Sequence, residues 1–322
     1  MKEKFLEDEA VKLLPLTSDV VFKEVFGQEE SKPILLVFLN DVLGFDIKSP
    51  DQLTILNPAF NPDYADDKLC ILDVRVQLSN RVSVDIEIQV INQKNIEPRA
   101  VYYVSQLCAD QLRVGEGYIK LAPVFGLNLL CFDLYDDKRY YRKYVLKDKE
   151  TNAEYPNYFE IDFFELRKAA RILKKKGMLK SLEPAKLSAK EQWALFIASG
   201  EQEVYKSLSQ EKKAFEEAYE RLKAASNDKE LLAMYRSREK AIRDWNNSIE
   251  SAEEEGEKRG EKRGEKRGEE RLNELYRRLI QDHRESDMLR AMSDPDVRAE
   301  LYREYEIDMT TSDKGKAEKD ND

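Results

Sequence analysis

The chain has 322 residues, of which 37% are charged, and a formal net charge of −10. That length can bury a sizeable core and holds one large or two ordinary domains, while the acidic balance argues against a protein that coats nucleic acid non-specifically, because phosphate neutralisation needs clustered cations. A local basic groove is still compatible with it. The single histidine, His283, rules out His-dependent triads, His-ligated zinc and HEXXH helices, so any catalysis falls to carboxylates, Lys, Tyr or a metal.

In chain order, Ser18 caps a short helix through Phe26 that Gly27 ends, and Ser31 with Pro33 opens a second, Ile34 to Leu43, closed by Gly44. Asp19 and Lys23 are four apart and share a helix face, the spacing of an ordinary intrahelical ion pair. Asp51 to Lys68, rich in Asn, Pro and Asp, reads as loop and contains Pro62-Asp63.

Leu69 to Ile91 holds two alternating segments around Ser79, Asn80 and Arg81, a β-hairpin pattern. The apolar faces coincide only with a three-residue loop. That register pairs Leu78 with Val82, Val76 with Val84 and Val74 with Ile86, so Arg75 falls across from Asp85 and Asp73 across from Glu87. Asp is depleted in strands and opposed like charges are destabilising, so something must offset the repulsion. A divalent cation on oxygen ligands is the simplest candidate, since magnesium takes one or two carboxylates plus water and phosphate. A hairpin with one face in water is the more ordinary reading of the same alternation.

Glu97 to Leu112 follows, with Val101, Val104, Leu107, Cys108 and Leu112 spaced as the buried stripe of a helix and Pro98 in its first turn. Phe125 to Phe132 reads as a buried strand, so this helix forms a crossover over a mixed sheet. Two more strands are predicted at Tyr140 to Leu146 and Tyr158 to Leu166. Arg139, Arg142, Lys143 and Lys174 to Lys176 are local candidates for nucleic-acid backbone contacts, although lysine runs are usually a solvated face.

From Ser188 onward the pattern is helical: Glu191 to Ile197, Phe215 to Leu222 and Leu231 to Trp245. Ala252 to Glu270 contains Glu-Lys-Arg-Gly three times in succession, which stacks like residues at i and i+4. It reads as a charged linker helix or as a self-association seam along Gly256, Gly260, Gly264 and Gly268, and the latter lacks the apolar drive of a heptad. Arg271 to Ile280 resumes an amphipathic helix, in which region His283 reads as a surface residue. Asp294-Pro295 starts a last helix to about Tyr305, and the tail from Thr310 reads as disordered.

Asp73, then Glu87-Ile88-Gln89, Arg99 and Tyr102-Tyr103, together with Ser18 to Lys23 upstream and Gln111-Leu112, Gly117-Tyr118 and Leu121 to Val124 downstream, resemble the PD-(D/E)XK nuclease family transposases, or recombination-promoting nucleases. The resemblance covers roughly residues 13 to 250. It implies a restriction-endonuclease-like α/β fold, a mixed sheet flanked by helices, followed by an α-helical C-terminal region. It further implies a metal-dependent DNA endonuclease in which Asp73 and Glu87 hold Mg2+ or another divalent cation. In such nucleases an acid from an N-terminal helix often reaches the metal, which makes Asp19 a third candidate. The superfamily places its first acid on the hairpin, which favours Asp73 over Asp63. Gln89 stands where the superfamily has Lys, and transposase-like members commonly carry Gln there. Gln can orient water or donate a neutral hydrogen bond but brings no charge. Arg99, Tyr103 and Lys23 are expected to meet the substrate.

The expected organisation is a nuclease-like domain over residues 1–180, a helical region over 181–250, a charged helical extension over 251–308 and a tail over 309–322. DNA is the expected partner, with a homo-oligomer through the C-terminal helices as a further possibility. A catalytically degenerate relative serving as a DNA-binding or protein-interaction module is the alternative, while a glycosidase is disfavoured because opposed strand positions hold the carboxylates too close together. Cys70, Cys108 and Cys131 are widely separated in apolar contexts, and the first residues lack an apolar signal core. Both features lead us to expect a reducing, cytoplasmic setting. The longest largely apolar run, Leu121 to Phe132, is too short to span a bilayer.

Overall fold

A computed structural model describes residues 12–57, 73–156, 158–175 and 183–307. The chain divides into two compact units, Met1–Arg238 and Glu239–Asp322. The first holds a six-stranded mixed sheet in the order β1-β2-β3-β4-β6-β5. Its strands are β1 (Leu53–Leu56), β2 (Val74–Leu78), β3 (Ser83–Gln89), β4 (Val124–Leu130), β5 (Tyr141–Val145) and β6 (Phe159–Glu165). β3, β4 and β6 run parallel, and the remaining pairings are antiparallel.

The hairpin has the register that the apolar alternation demands: Val74 pairs with Ile86, Arg75 with Asp85 and Val76 with Val84. Its loop has three residues. Leu78 accepts from the Arg81 N–H and donates to the Val82 carbonyl, both at 2.8 Å, and Arg81 takes the left-handed conformation (φ 69°) that ends such loops. The expected first half, Leu69 to Leu72, lies outside the described residues, as do Asp63 and Cys70.

Each face of the sheet carries its own core. On one, Val84, Ile86, Ile88, Leu127, Leu129 and Phe164 pack under α1 (Asp19–Phe26) and α2 (Lys32–Leu43). This core continues without a break into the helices α5 (Ala189–Ala198), α6 (Gln202–Ser209) and α7 (Lys213–Asn227), through Trp193, Phe196 and Phe215. The Trp193 ring lies 4.3 Å from that of Phe215 and 5.0 Å from that of Phe38. Its indole N–H donates to Asp41 at 2.8 Å. On the other face, α3 (Ile96–Ala109) sets Ile96, Ala100, Val104 and Leu107 against Val124, Leu130, Ile161 and Phe163. Gly126 permits this approach, for a Cβ there would lie 2.4 Å from Val104 Cγ2.

Several expectations are corrected. Leu53 to Leu56, within the stretch read as loop, forms the edge strand β1. The α3 stripe is rotated from the predicted one: Val101 is exposed and Leu112 lies beyond the helix. Ser18 occupies the N-cap position of α1 without a side-chain capping bond. The Asp19 carboxylate accepts from the Val20 N–H instead. Arg142 is no surface cation: its side chain is 8% exposed, bonds Glu165 at 3.0 Å and Asp137 at 2.5 Å, and stacks on Tyr135. Lys143 pairs with the buried Glu160 at 2.7 Å. α6, which the sequence reading passed over, completes the helical layer.

In the second unit, the segments read as separate helices belong to one 53-residue helix, α8 (Lys229–Gln281), which begins in the first unit. Nothing lies within 4 Å of where a Cβ would sit on Gly256, Gly260, Gly264 or Gly268. Leu275 and Leu279 at its end form a small core with Ala291 and Leu301, from α9 (Glu285–Ser293) and α10 (Pro295–Glu304), and Ile307. His283 is exposed and sits between α8 and α9, at a left-handed φ of 56°, rather than within a helix.

Candidate active site

Asp73 directly precedes β2, and its register continues that of the hairpin. Its N–H donates to Glu87 Oε1 at 2.8 Å, while the Ile88 N–H donates to Asp73 Oδ2 at 2.9 Å. Each carboxylate is thus bonded to the other acid's strand. Cations engage the remaining oxygens. Lys23, from α1, lies 3.2 Å from Asp73 Oδ1, and Arg99, from α3, lies 2.9 Å from Glu87 Oε2. Two backbone donors and two side-chain charges act against the repulsion that the sequence poses.

Gln89, next on the same face of β3, donates to Glu87 Oε2 at 3.1 Å and accepts from Arg99 at 3.2 Å. The guanidinium therefore bridges the acid and the amide. Its carbon lies 4.9 Å from the centre of the Tyr103 ring, which orients it. The acids are recessed, with Glu87 2% and Asp73 12% exposed, whereas Arg99 and Lys23 stand at the mouth, 29% and 37% exposed. Burial, followed by the charge of Asp73, pushes the Glu87 carboxyl up to about 8 against the pull of Arg99. Burial likewise raises Asp73, opposed chiefly by Lys23.

The structure therefore brings Asp73, Glu87, Gln89, Arg99, Tyr103 and Lys23 together. The Asp19–Lys23 pair that the spacing allows does not form. Lys23 turns to Asp73, and Asp19 binds Arg238 of α8 at 2.7 Å. Asp19 is close enough for its charge to raise Asp73. Among the described residues, however, no group of three or more His, Cys, Asp or Glu side chains is placed to hold an ion. Sequence reasoning passed over Asp85, which is 2% exposed on the Glu87 face and has an Oδ1 without a hydrogen-bond partner. Burial, followed by Glu87 and Asp73, pushes its carboxyl well up. The period-2 alternation that marks Glu87 could have marked Asp85 as well.

A sequence profile for PD-(D/E)XK nuclease family transposases matches residues 16–252. The chain belongs to that family. No curated protein and no solved structure matches it. The match takes in the whole sheet, α1 to α7 (α4 being Leu166–Lys175) and every residue of the cluster, and membership supports a nuclease- or transposase-related function. Nucleases of the PD-(D/E)XK type generally use a divalent cation. The donor set fits a hard ion in a limited way: Asp73 and Glu87 supply two carboxylates, which leaves further positions to water and phosphate oxygens as magnesium prefers. Lys23 and Arg99, each on an oxygen of one of these acids, mark the pocket as one that gathers positive charge. No helix among the described residues is long and apolar enough to cross a membrane. The described cysteines, Cys108 and Cys131, are free thiols.

Proposed function

We propose that this protein is a metal-dependent DNA endonuclease associated with transposition or recombination. The observation that supports this most is the reciprocal pairing of Asp73 and Glu87 at one end of a parallel-sheet crossover, with Arg99 and Lys23 at the mouth. Asp73 and Glu87 would hold Mg2+ or another divalent cation, with Asp19, whose charge reaches Asp73, a further candidate. When bound, such an ion polarises a phosphate oxygen and lowers the pKa of a water.

The chain's own residues do the rest. Arg99 and Lys23 offer cations to the scissile phosphate as a bond forms from water oxygen to phosphorus and the bond to the leaving sugar oxygen breaks, the attacking water giving its proton to solvent and the leaving oxygen taking one from it. Gln89 neither gives nor takes a proton at neutral pH, so its part is to orient water. Arg99, bonded to Gln89, brings to that position the positive charge a Lys would carry. Tyr103 keeps the guanidinium plane in place. Because the described cysteines are unpaired, a cytoplasmic setting suits the protein.

Purified protein incubated with plasmid and Mg2+ or Mn2+, with and without chelator, tests the reading. Nicking that needs the metal and disappears in Asp73→Ala is expected. Absence of metal-dependent cutting, or a D73A variant as active as the parent, would refute it. One observation favours a second reading, a degenerate relative that binds DNA or protein without cutting: all four oxygens of the two acids already have partners within the chain. Such a descendant would show no Mn2+ binding by calorimetry.

A further inference from the structure

The loop from Leu112 to Leu121, between α3 and β4, has no part in the site above, although it and its flanks carry motifs through which the chain resembles its family. Three large apolar side chains within six residues are almost wholly exposed: Val114, Tyr118 at 84% and Ile119 at 96%. Large apolar side chains gathered in the open on one short loop point to an interaction site. The loop is nevertheless built to hold its shape. The Gln111 side chain clasps Ala122, accepting from its N–H at 2.7 Å and donating to its carbonyl at 3.1 Å. Inside the clasp, Glu116 accepts from the Arg113 N–H and pairs with Lys120, both at 2.8 Å.

The charge around the tip identifies what it meets. Arg113 and Lys120 lie on the loop, and Arg81, in the neighbouring hairpin turn, is close enough for its charge to act on Glu116. Three cations thus stand with one carboxylate in a chain whose net charge is −10. From Arg99 at the candidate active site to this loop, α3 passes residues 100–109 without one charged side chain, and Tyr103 and Gln106, four and seven residues on, lie half-buried along the Arg99 face. A polyanion could follow that path and meet no carboxylate until Asp110, which is paired with Arg75.

We propose that the 112–121 loop is a second DNA contact. In it Arg81, Arg113 and Lys120 take phosphates while Tyr118 and Ile119 press against the bases, as the apolar wedges of groove-binding proteins do. This rests on the reading of DNA as substrate. Asp110 lies eleven residues beyond Arg99, a rise of about 16 Å along a helix, or about five base pairs. The loop therefore leaves α3 about half a turn of duplex from the bond cut, which places its wedge at or beyond that distance.

The test uses the full-length protein, a fluorescent duplex and a second duplex with 2-aminopurine at successive positions from the cleavage site. Binding is measured with Ca2+ in place of the cutting metal. A Tyr118→Ser, Ile119→Ser double variant should bind about tenfold more weakly and lose the 2-aminopurine signal at or beyond the fifth base pair. Arg113→Gln should lower the salt slope of binding by about one. Equal affinity and an unchanged 2-aminopurine profile in the variants of a parent that cuts DNA would overturn the loop assignment and leave the nuclease reading standing. A parent that binds DNA through the loop but never cuts would overturn only the nuclease reading. Loss of a dimer in the Y118S/I119S variant, with DNA affinity retained, would assign the loop to a second copy of the chain and overturn the proposal. A parent that does not bind DNA would overturn both.

Discussion

Glu87→Gln probes the electrostatics of the site without altering its shape. The parent carboxyl sits at about 8 against an ordinary 4.5, because its 2% exposed side chain is withdrawn from water beside Asp73. The folded state therefore holds a proton that the unfolded state releases above about 4.5, and the folded protein loses stability as pH rises from there to about 8. At about 1.4 kcal/mol per pH unit, the gap caps the loss at about 5 kcal/mol. Gln cannot ionise, so its variant lacks this contribution. Urea denaturation of both proteins in chelator, at pH 5, 6, 7 and 8, reads it directly. The stability of E87Q relative to the parent should climb steadily across that range. A difference that stays constant with pH would refute the claim that burial and Asp73 outweigh Arg99.

Other outcomes follow from single contacts. Gly126→Ala drives a Cβ to 2.4 Å from Val104 Cγ2 and should cost about 1–3 kcal/mol in denaturation, partly recovered by Val104→Ala in the same chain. Equal stability of G126A and the parent would mean that α3 is not seated there. Arg99→Met removes the charge shared by Glu87 and Gln89 and should cut the cleavage rate about 100-fold. Gln89→Lys in the same chain should recover part of it, whereas no recovery would mean that Arg99 acts only by packing. Replacing Gly256, Gly260, Gly264 and Gly268 with Ala, at sites with no neighbour within 4 Å, should stabilise α8 by about 1 kcal/mol per residue. Amide exchange across residues 252–270 should slow accordingly. Faster exchange, or loss of a dimer, would show that the glycines seat a second helix.

The hairpin was legible because its information is local: alternating Val and Ile with an even-sum register leave one loop length, and that fixes which acids oppose each other. β1 was not, since four residues between Asp51 and Asn57-Pro58 give too short a pattern to outweigh turn-forming neighbours. The α3 stripe was misplaced because the seating of the helix depends on Gly126, whose missing side chain admits Val104 from 22 positions away. The partners of the charged residues were the least legible. Lys23 could have joined Asp19 four residues away but joins Asp73, and Asp19 joins Arg238, more than two hundred residues on. Arg142 looked like a phosphate contact until Asp137 and Glu165 folded around it. The four helices of α5 to α8 were read in part: Leu231 to Trp245, the Glu-Lys-Arg-Gly repeats and Arg271 to Ile280 read as three helical segments, although one helix runs through all of them.

The proposed chemistry requires Asp73 and Glu87 to share an ion. Crystals soaked in Mn2+ and measured at the manganese absorption edge test this most directly. An anomalous peak within bonding distance of both carboxylates, with Lys23 displaced from Asp73, is the expected result. At saturating Mn2+, a peak elsewhere, or none between these two side chains, would contradict it.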